Sequence, residues 1–190
     1  GIKISTAELN DIPGLSWGLP AILKGAGIRY FSPKIPDYFS WGDLQVHYLW
    51  DEEKVLPRDR PGLFRWQGID GSEIIVVIYD WDVWPWSYED TESKLATYLD
   101  DIRKRGYNYN TIAFRHHGGF RDNSPASIRT SYIVREWNQI WEYPRLQVST
   151  NSDYFKELEQ KVDYEDLPVI SGELPNTDYT VSFSCLAKPT

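Results

Sequence analysis

IKISTAELNDIPGLSWGLPAILKGAGIRYF, residues 2–31, is the stretch on which the fold turns. Residues 2–9 read as a short strand that feeds the loop Asn10-Asp11-Ile12-Pro13-Gly14. A helix should follow, with Ser16 as its N-cap and Leu19, Ile22 and Leu23 as an apolar stripe. Pro20 falls in the first turn, where a missing N–H costs nothing, and Gly25 and Gly27 supply a stop. Residues 28–31 then form a second strand. Strand, loop, helix and strand in that order build parallel sheets, because two parallel neighbours need a crossover connection between them. The expected class is α/β.

Outward from that unit, residues 32–61 carry little periodic signal and are rich in Pro, Asp and aromatics. A loop of that length inside a compact domain is usually functional or mobile. Residues 63–67 and 73–79 flank Gly68-Ile69-Asp70-Gly71 and predict a hairpin whose second strand, almost wholly apolar, is buried. Leu95, Tyr98, Leu99 and Ile102 fall at i, i+3, i+4 and i+7, which predicts a helix over 91–105 ended by Gly106. Residues 111–114 read as a buried strand that runs into Arg115-His116-His117-Gly118-Gly119-Phe120-Arg121-Asp122-Asn123. A helix over about 125–141 follows, with Ser124 as cap and Ile133, Val134, Trp137, Ile140 and Trp141 on its apolar side. Residues 146–148 suggest another strand. Thr150 caps a helix to about 160 with Asp153 at the capping-box position, and Val169 and Ile170 start one more strand. No linker or repeat divides the chain, so 1–190 reads as one domain. In such folds ligands sit at the carboxyl ends of the strands, so Asn10-Asp11, 80–86 and 116–123 are expected on one face.

Composition removes several functions. With 20 Lys+Arg against 28 Asp+Glu the formal charge is -8, the wrong sign for a protein whose partner is a nucleic-acid backbone. The longest apolar run, Ile74 to Tyr79, has strand length and falls far short of the roughly 20 residues of a membrane span. The single Cys185 excludes an internal disulfide. The chain holds no Met, which leads us to expect the remainder of a longer polypeptide around it.

Aromatics make up 15% of the chain and include 9 Trp, several of them beside carboxylates in YDWDVWPWSYED, residues 79–90. Flat aromatic faces next to carboxylates suit sugar rings, whose C–H faces stack while their hydroxyls make directed hydrogen bonds. Asp80 and Asp82 among Trp81, Trp84 and Trp86 could therefore hold sugar hydroxyls, although loop carboxylates are commonly only solvated. Asp11, just past a strand, could be a nucleophile or a metal ligand, and Asp before a Pro-Gly turn is also a common cap. The segment 116–123 could hold an acid/base carboxylate, a metal ligand or sugar hydroxyls, or could be a turn with incidental histidines. There is no Gly-rich phosphate loop, dinucleotide fingerprint, G-x-S-x-G elbow or H-E-x-x-H helix.

Taken in order, these blocks resemble the N-terminal catalytic domain of glycoside hydrolase family 38, the α-mannosidases. Residues 11–16 with the helix block 20–28 are similar to the family's D-x-x-G-H-S segment and the P-x-x-L turn behind it. Gly118 to Asn123 resembles its acidic segment before a helix. Glu136-Trp137-Asn138, Tyr143-Pro144-Arg145-Leu146 and Ser149-Thr150-Asn151-Ser152-Asp153-Tyr154-Phe155 resemble the stretch that ends its barrel, and 167–174 the segment after it. The resemblance implies a parallel seven-stranded β/α barrel, of which this chain is the later, incomplete portion. It also implies retaining hydrolysis of an α-linked sugar such as mannose, with zinc gripping sugar hydroxyls. On it, Asp11 is the nucleophile and a metal ligand, Asp122 is the nearest candidate acid/base, and His117 is a substitute ligand. Asp80, Trp81, Asp82, Trp84, Trp86, Arg121 and Asn123 would contact the carbohydrate. Leu15 stands where the mannosidases usually have His, and the family's other metal ligands would fall before Gly1 and after Thr190. The alternatives are a non-catalytic carbohydrate-binding relative and a polysaccharide deacetylase-like barrel, whose metal site needs an Asp and two His.

Overall fold

A computed structural model describes residues 3–9, 15–33, 62–78, 82–83, 88–104, 107–116 and 127–174. The elements, in chain order, are β1 (Thr6–Leu9), α1 (Leu19–Gly25), β2 (Tyr30–Pro33), β3 (Leu63–Gln67), β4 (Glu73–Val77) and β5 (Asp82–Val83). They continue with α2 (Tyr88–Lys104), β6 (Arg115–His116), α3 (Arg129–Ile140), α4 (Asn151–Lys161), a 3₁₀ turn (Tyr164–Asp166) and β7 (Val169–Ser171).

Five strands form one sheet in the order β1-β2-β4-β3-β7, and β5 pairs with β6 separately. β1, β2 and β4 are parallel to one another, as the opening strand-helix-strand unit predicts. β3 is antiparallel to β4 and parallel to β7. The described strands therefore do not form the expected parallel seven-stranded barrel; their main sheet is mixed and open, with β1 and β7 at its edges. The hairpin is the physical reason for the mixture. A tight turn can only return the chain antiparallel, so β3 enters the sheet against the direction of its neighbours on one side. Gly71 sits at φ 81 in that turn, and Gly68 N–H donates to the Ser72 carbonyl at 2.8 Å. Asp70 accepts from Ser72 N–H at 3.0 Å and from its hydroxyl at 2.8 Å, and these bonds hold the Asp70 carboxyl below its usual range.

The strands alternate between two buried faces. On one face Phe31, Phe64, Trp66, Ile74, Val76 and Ile78 pack with Leu15 and Leu174, covered by Leu19 and Leu23 of α1. On the other face Tyr30, Leu63, Ile75 and Val77 meet Tyr154, Phe155 and Leu158 of α4. Burial on both sides explains why β4 reads as an unbroken apolar run. The sheet is a shared core wall, and each buried side chain of this size is worth about 1.5–3 kcal/mol.

Several local expectations change. The residue at the N-cap of α1 is Gly18 and makes no side-chain cap bond; Ser16 instead accepts from Gly18 N–H through its hydroxyl at 3.4 Å. Ile22 points outward at 69% exposure, because Pro20, Leu19 and Leu23 already cover the sheet. Residues 111–114 are not a strand; pairing begins one residue later, at Arg115. Residues 146–148 have no strand partner among the described residues either. A side-chain amide takes that role: Asn138 Nδ2 donates to the Leu146 carbonyl at 2.7 Å and Leu146 N–H donates to Asn138 Oδ1 at 3.0 Å. In α3, Ile133 and Trp137 are buried as expected, while Ile140 and Trp141 are exposed. Ser124 lies outside the described residues. Thr150 caps α4 as expected, its hydroxyl accepting from Asp153 N–H at 3.2 Å and donating to the Asp153 carboxylate at 2.8 Å.

Tyr30 couples the core to pH. Its ring stacks on Phe155 at 4.6 Å, and burial followed by hydrogen bonding to Glu159 pushes its hydroxyl up to about 12. The unfolded hydroxyl titrates near 10. The folded state then holds a proton that the unfolded state has lost, so stability is complete below pH 10 and falls as pH rises to about 12. The expected loss is on the order of 1–2 kcal/mol over that window. Thermal melts at pH 9 and pH 11 check it, because Tyr30→Phe should flatten the alkaline decline.

Candidate functional site

Direction decides where chemistry can gather. β1, β2 and β4 are parallel, so their carboxyl ends, Leu9, Pro33 and Val77, lie along one edge of the sheet. The chain leaves that edge after each of them, into segments 10–14, 34–61 and 79–81. It returns there before β3, where Ile78 N–H donates to the Gly62 carbonyl at 2.8 Å. Asp11, Asp80, Trp81, Trp84, Trp86, His117, Arg121, Asp122 and Asn123 lie outside the described residues, and Asp82 is described in its backbone alone.

What the structure does describe are the anchors of those segments. Leu9 ends β1, and six residues later Leu15 is buried and pinned to Leu174. Leu15 N–H donates to the Leu174 carbonyl at 2.8 Å, and Leu174 N–H returns the bond at 3.1 Å. Both ends of the segment that carries Asp11 are therefore fixed, one at the carboxyl end of a strand and one in the core. Leu15 also has a structural reason to be apolar: at 6% exposure it packs with Phe31, Trp66 and Leu174. A second pairing concerns the other two candidate segments. β5 and β6 are parallel with Asp82 opposite Arg115 and Val83 opposite His116, so the chains carrying Trp84 and His117 leave that pair at the same end.

On the α4 side of the same edge stands a polar group that the sequence reading missed. Ala7 and Leu9 of β1 pack on the α1 face, so Thr6 and Glu8 take the α4 face. Thr6 Oγ1 lies 3.2 Å from Ser152 Oγ, and Glu8 Oε2 accepts from Asn151 Nδ2 at 3.0 Å. Ser32, opposite Glu8 in the β1–β2 register, is fully buried and its hydroxyl has no hydrogen-bond partner among the described residues. The signal was present in T-A-E-L: polar and apolar residues alternate with period two, and Glu8 is the charged residue of the polar set.

Glu8 opens onto a cavity of about 1510 Å³ framed by α2, α3, the start of α4 and the segments 107–114 and 143–150. The 107–114 segment is held to α4 by Lys161, whose ammonium donates to Thr111 Oγ1 at 3.0 Å. Tyr107 and Tyr109 meet edge to face at 5.2 Å on this wall, and the Tyr107 hydroxyl donates to the Thr111 carbonyl at 2.7 Å. Burial, with Asp166 nearby, raises the Tyr109 hydroxyl above its usual range. On the far side Trp137 Nε1 donates to the Pro144 carbonyl at 2.7 Å, which with the Asn138 bracket sets the course of 143–150.

A metal needs a tighter arrangement. Among the described residues no group of three His, Cys, Asp or Glu side chains could hold an ion, whereas a catalytic zinc requires three protein ligands. The described residues therefore do not fit the zinc that the resemblance implies. Among them there is also no helix long and apolar enough to cross a membrane.

The family description "Glycosyl hydrolases family 38 N-terminal domain" matches residues 1–173. No curated protein matches the chain. Its structure is similar to that of an alpha-mannosidase from Enterococcus faecalis V583, with a TM-score of 0.63 and 16% identity over 92% of this chain and 18% of that one. It is also similar to a protein in glycosyl hydrolase family 38 from Enterococcus faecalis, with a TM-score of 0.53 and 15% identity over 90% of this chain and 15% of that one. At those identities the likeness concerns the fold, and the chain spans less than a fifth of the length of either protein.

Proposed function

The chain belongs to glycosyl hydrolase family 38, over the N-terminal domain of that family, and on this premise we propose that the full-length protein is a retaining glycosidase of α-linked mannose or a related sugar. The observation that carries the reading is the family match over 1–173, which takes in the whole strand-loop-helix unit around Asp11. The fixed ends of that loop support it, because a nucleophile must be held in place by its surroundings.

In this mechanism Asp11 attacks the anomeric carbon. The glycosidic C–O bond breaks, and a carbon–oxygen bond to Asp11 forms. Asp122 gives its proton to the departing oxygen, then takes one from the water that attacks the glycosyl ester and frees Asp11. Retaining enzymes place the two carboxyl groups about 5–5.5 Å apart. Asp80, Trp81, Asp82, Trp84, Trp86, Arg121 and Asn123 are the residues we assign to sugar contact. The seven-stranded barrel belongs to the same proposal, since β1 and β7 each have one neighbour among the described residues and further strands would add there. Zinc is the metal the family uses to grip sugar hydroxyls. Asp11 and His117 are the two ligands we would assign to it, and two do not complete a site, so no step passes through it.

Proton NMR of the first product released from an aryl α-mannoside by the full-length protein tests the reading. The α-anomer should appear first and mutarotate later. The β-anomer first would overturn retention, and saturable binding without any turnover would put the non-catalytic carbohydrate-binding relative in its place.

A further inference from the structure

We propose that Trp66 is a positioning residue for the nucleophile: its indole holds the turn at Gly172, that turn places Leu174, and Leu174 places the far end of the segment that carries Asp11. This rests on the assignment of Asp11 above and names what keeps that carboxylate in position.

Four observations carry it. The first is the bridge. Leu15 and Leu174 form an isolated antiparallel pair with backbone bonds of 2.8 and 3.1 Å and no ladder beside it among the described residues. A lone pair of this kind has no adjoining rungs to fix it, so its place depends on what holds Leu174. The second is the turn before it. β7 ends at Ser171, and Gly172 then takes φ 105. A Cβ at Gly172 would meet nothing within 4 Å, so glycine serves there for its backbone conformation and not for space. Its carbonyl accepts from Trp66 Nε1 at 2.8 Å.

The third observation is packing. Trp66 stands opposite Ile170 in the β3–β7 register and is fully buried, in one apolar cluster with Leu15 and Leu174. Leu9 packs against the same cluster, so both anchors of segment 10–14 belong to the core that Trp66 fills. The fourth is covalent. Asp11 lies two residues after Leu9 and four before Leu15. Consecutive Cα atoms are about 3.8 Å apart, so Asp11 stays within about 8 Å of one anchor and about 15 Å of the other. Loss of the indole N–H releases the Gly172 carbonyl, and the turn, Leu174 and Leu15 shift with it. A displacement of about 1 Å at a reacting group costs up to about 10²-fold in rate.

The experiment measures kcat and KM on a nitrophenyl α-mannoside for the full-length parent, Trp66→Phe, Gly172→Ala and Leu158→Ala. Phe keeps a ring and loses the donor, and Ala at 172 strains the same turn from its other side. Leu158 is buried on the α4 face, so its variant reports what lost packing alone does. Trp66→Phe and Gly172→Ala should each lower kcat by about tenfold or more with KM held within about twofold. Leu158→Ala should keep kcat within about twofold, although its Tm falls at least as far as that of Trp66→Phe. An unchanged kcat in either folded clamp variant, or an equal fall in Leu158→Ala, overturns the proposal. Should one clamp variant fail to fold, the other decides.

Azide adds a second readout. In Asp11→Ala it replaces the carboxylate: an azide nitrogen bonds to the anomeric carbon as the bond to the nitrophenolate oxygen breaks, and the product is a glycosyl azide. That rate does not use Asp11, so adding Trp66→Phe should leave it unchanged. A fall as large as in the parent overturns the proposal, because Trp66 would then act on the whole site. Asp11→Ala that turns over without azide shows that the assignment of Asp11 has failed. An inactive Asp11→Ala beside an indifferent Trp66→Phe shows that the positioning role alone has failed.

Discussion

Turnover of an aryl α-mannoside by the full-length protein should fall by about four orders of magnitude or more when Asp11 is replaced by Asn. The amide is nearly the same shape as the carboxylate but carries no negative charge. It cannot form the ester to the anomeric carbon that splits the displacement into two easier steps. The substitution should leave the fold intact, because the segment is anchored at Leu9 and at the Leu15–Leu174 backbone pair, neither of which uses the Asp11 side chain. The checks are kcat on the aryl substrate and a thermal melt on the same preparation. A variant that melts with the parent and keeps its activity within tenfold removes Asp11 from the mechanism.

Trp66→Ala should cost about 3–5 kcal/mol, a large part of the 5–15 kcal/mol by which such domains are stable. Trp66 is fully buried, stacks on Phe31 at 6.2 Å and donates its Nε1–H to the Gly172 carbonyl at 2.8 Å. Removing it opens a void between the sheet and α1 and also abandons that carbonyl. Trp66→Phe separates the two effects. The ring is largely kept, so the loss should be smaller, about 1–3 kcal/mol, chiefly from the unpaired carbonyl. Chemical denaturation of both variants checks the order. A Trp66→Phe variant as stable as the parent would mean that the hydrogen bond to Gly172 contributes nothing, and equal losses in the two variants would mean that the void adds nothing to it.

Gly172 itself shows how far apart in sequence the decisive contacts lie. Its φ of 105 belongs to the region that favours glycine, and its carbonyl closes a bond to a side chain 106 residues earlier. Local rules reach the hairpin at Gly68 to Gly71, the Thr150 cap and the apolar run of β4, because turn chemistry, capping and period are properties of a few adjacent residues. They do not reach the clamp of Asn138 on Leu146, where an amide replaces a strand neighbour. Nor do they reach the outward turn of Ile22, since only the packed sheet shows that Leu19, Pro20 and Leu23 suffice to cover it.

The candidate site divides in the same way. Asp11 stands out by residue type and by its place after a strand, and family blocks in the right order supplied its suggested role; its side chain, like those of His117 and Asp122, lies outside the described residues. The closeness of the segments at 82–83 and 115–116 came from pairing, and the contact of Glu8 with Asn151 joins residues 143 apart in sequence.

Read alone, the order of residues was enough for the α/β class, the parallel start, the hairpin and the Thr150 cap, since each follows from sterics and hydrogen bonding within a few residues. The open mixed sheet, the order of its strands and the cavity in front of Glu8 arose only when distant segments met, because burial and pairing energies depend on neighbours that the linear chain does not name.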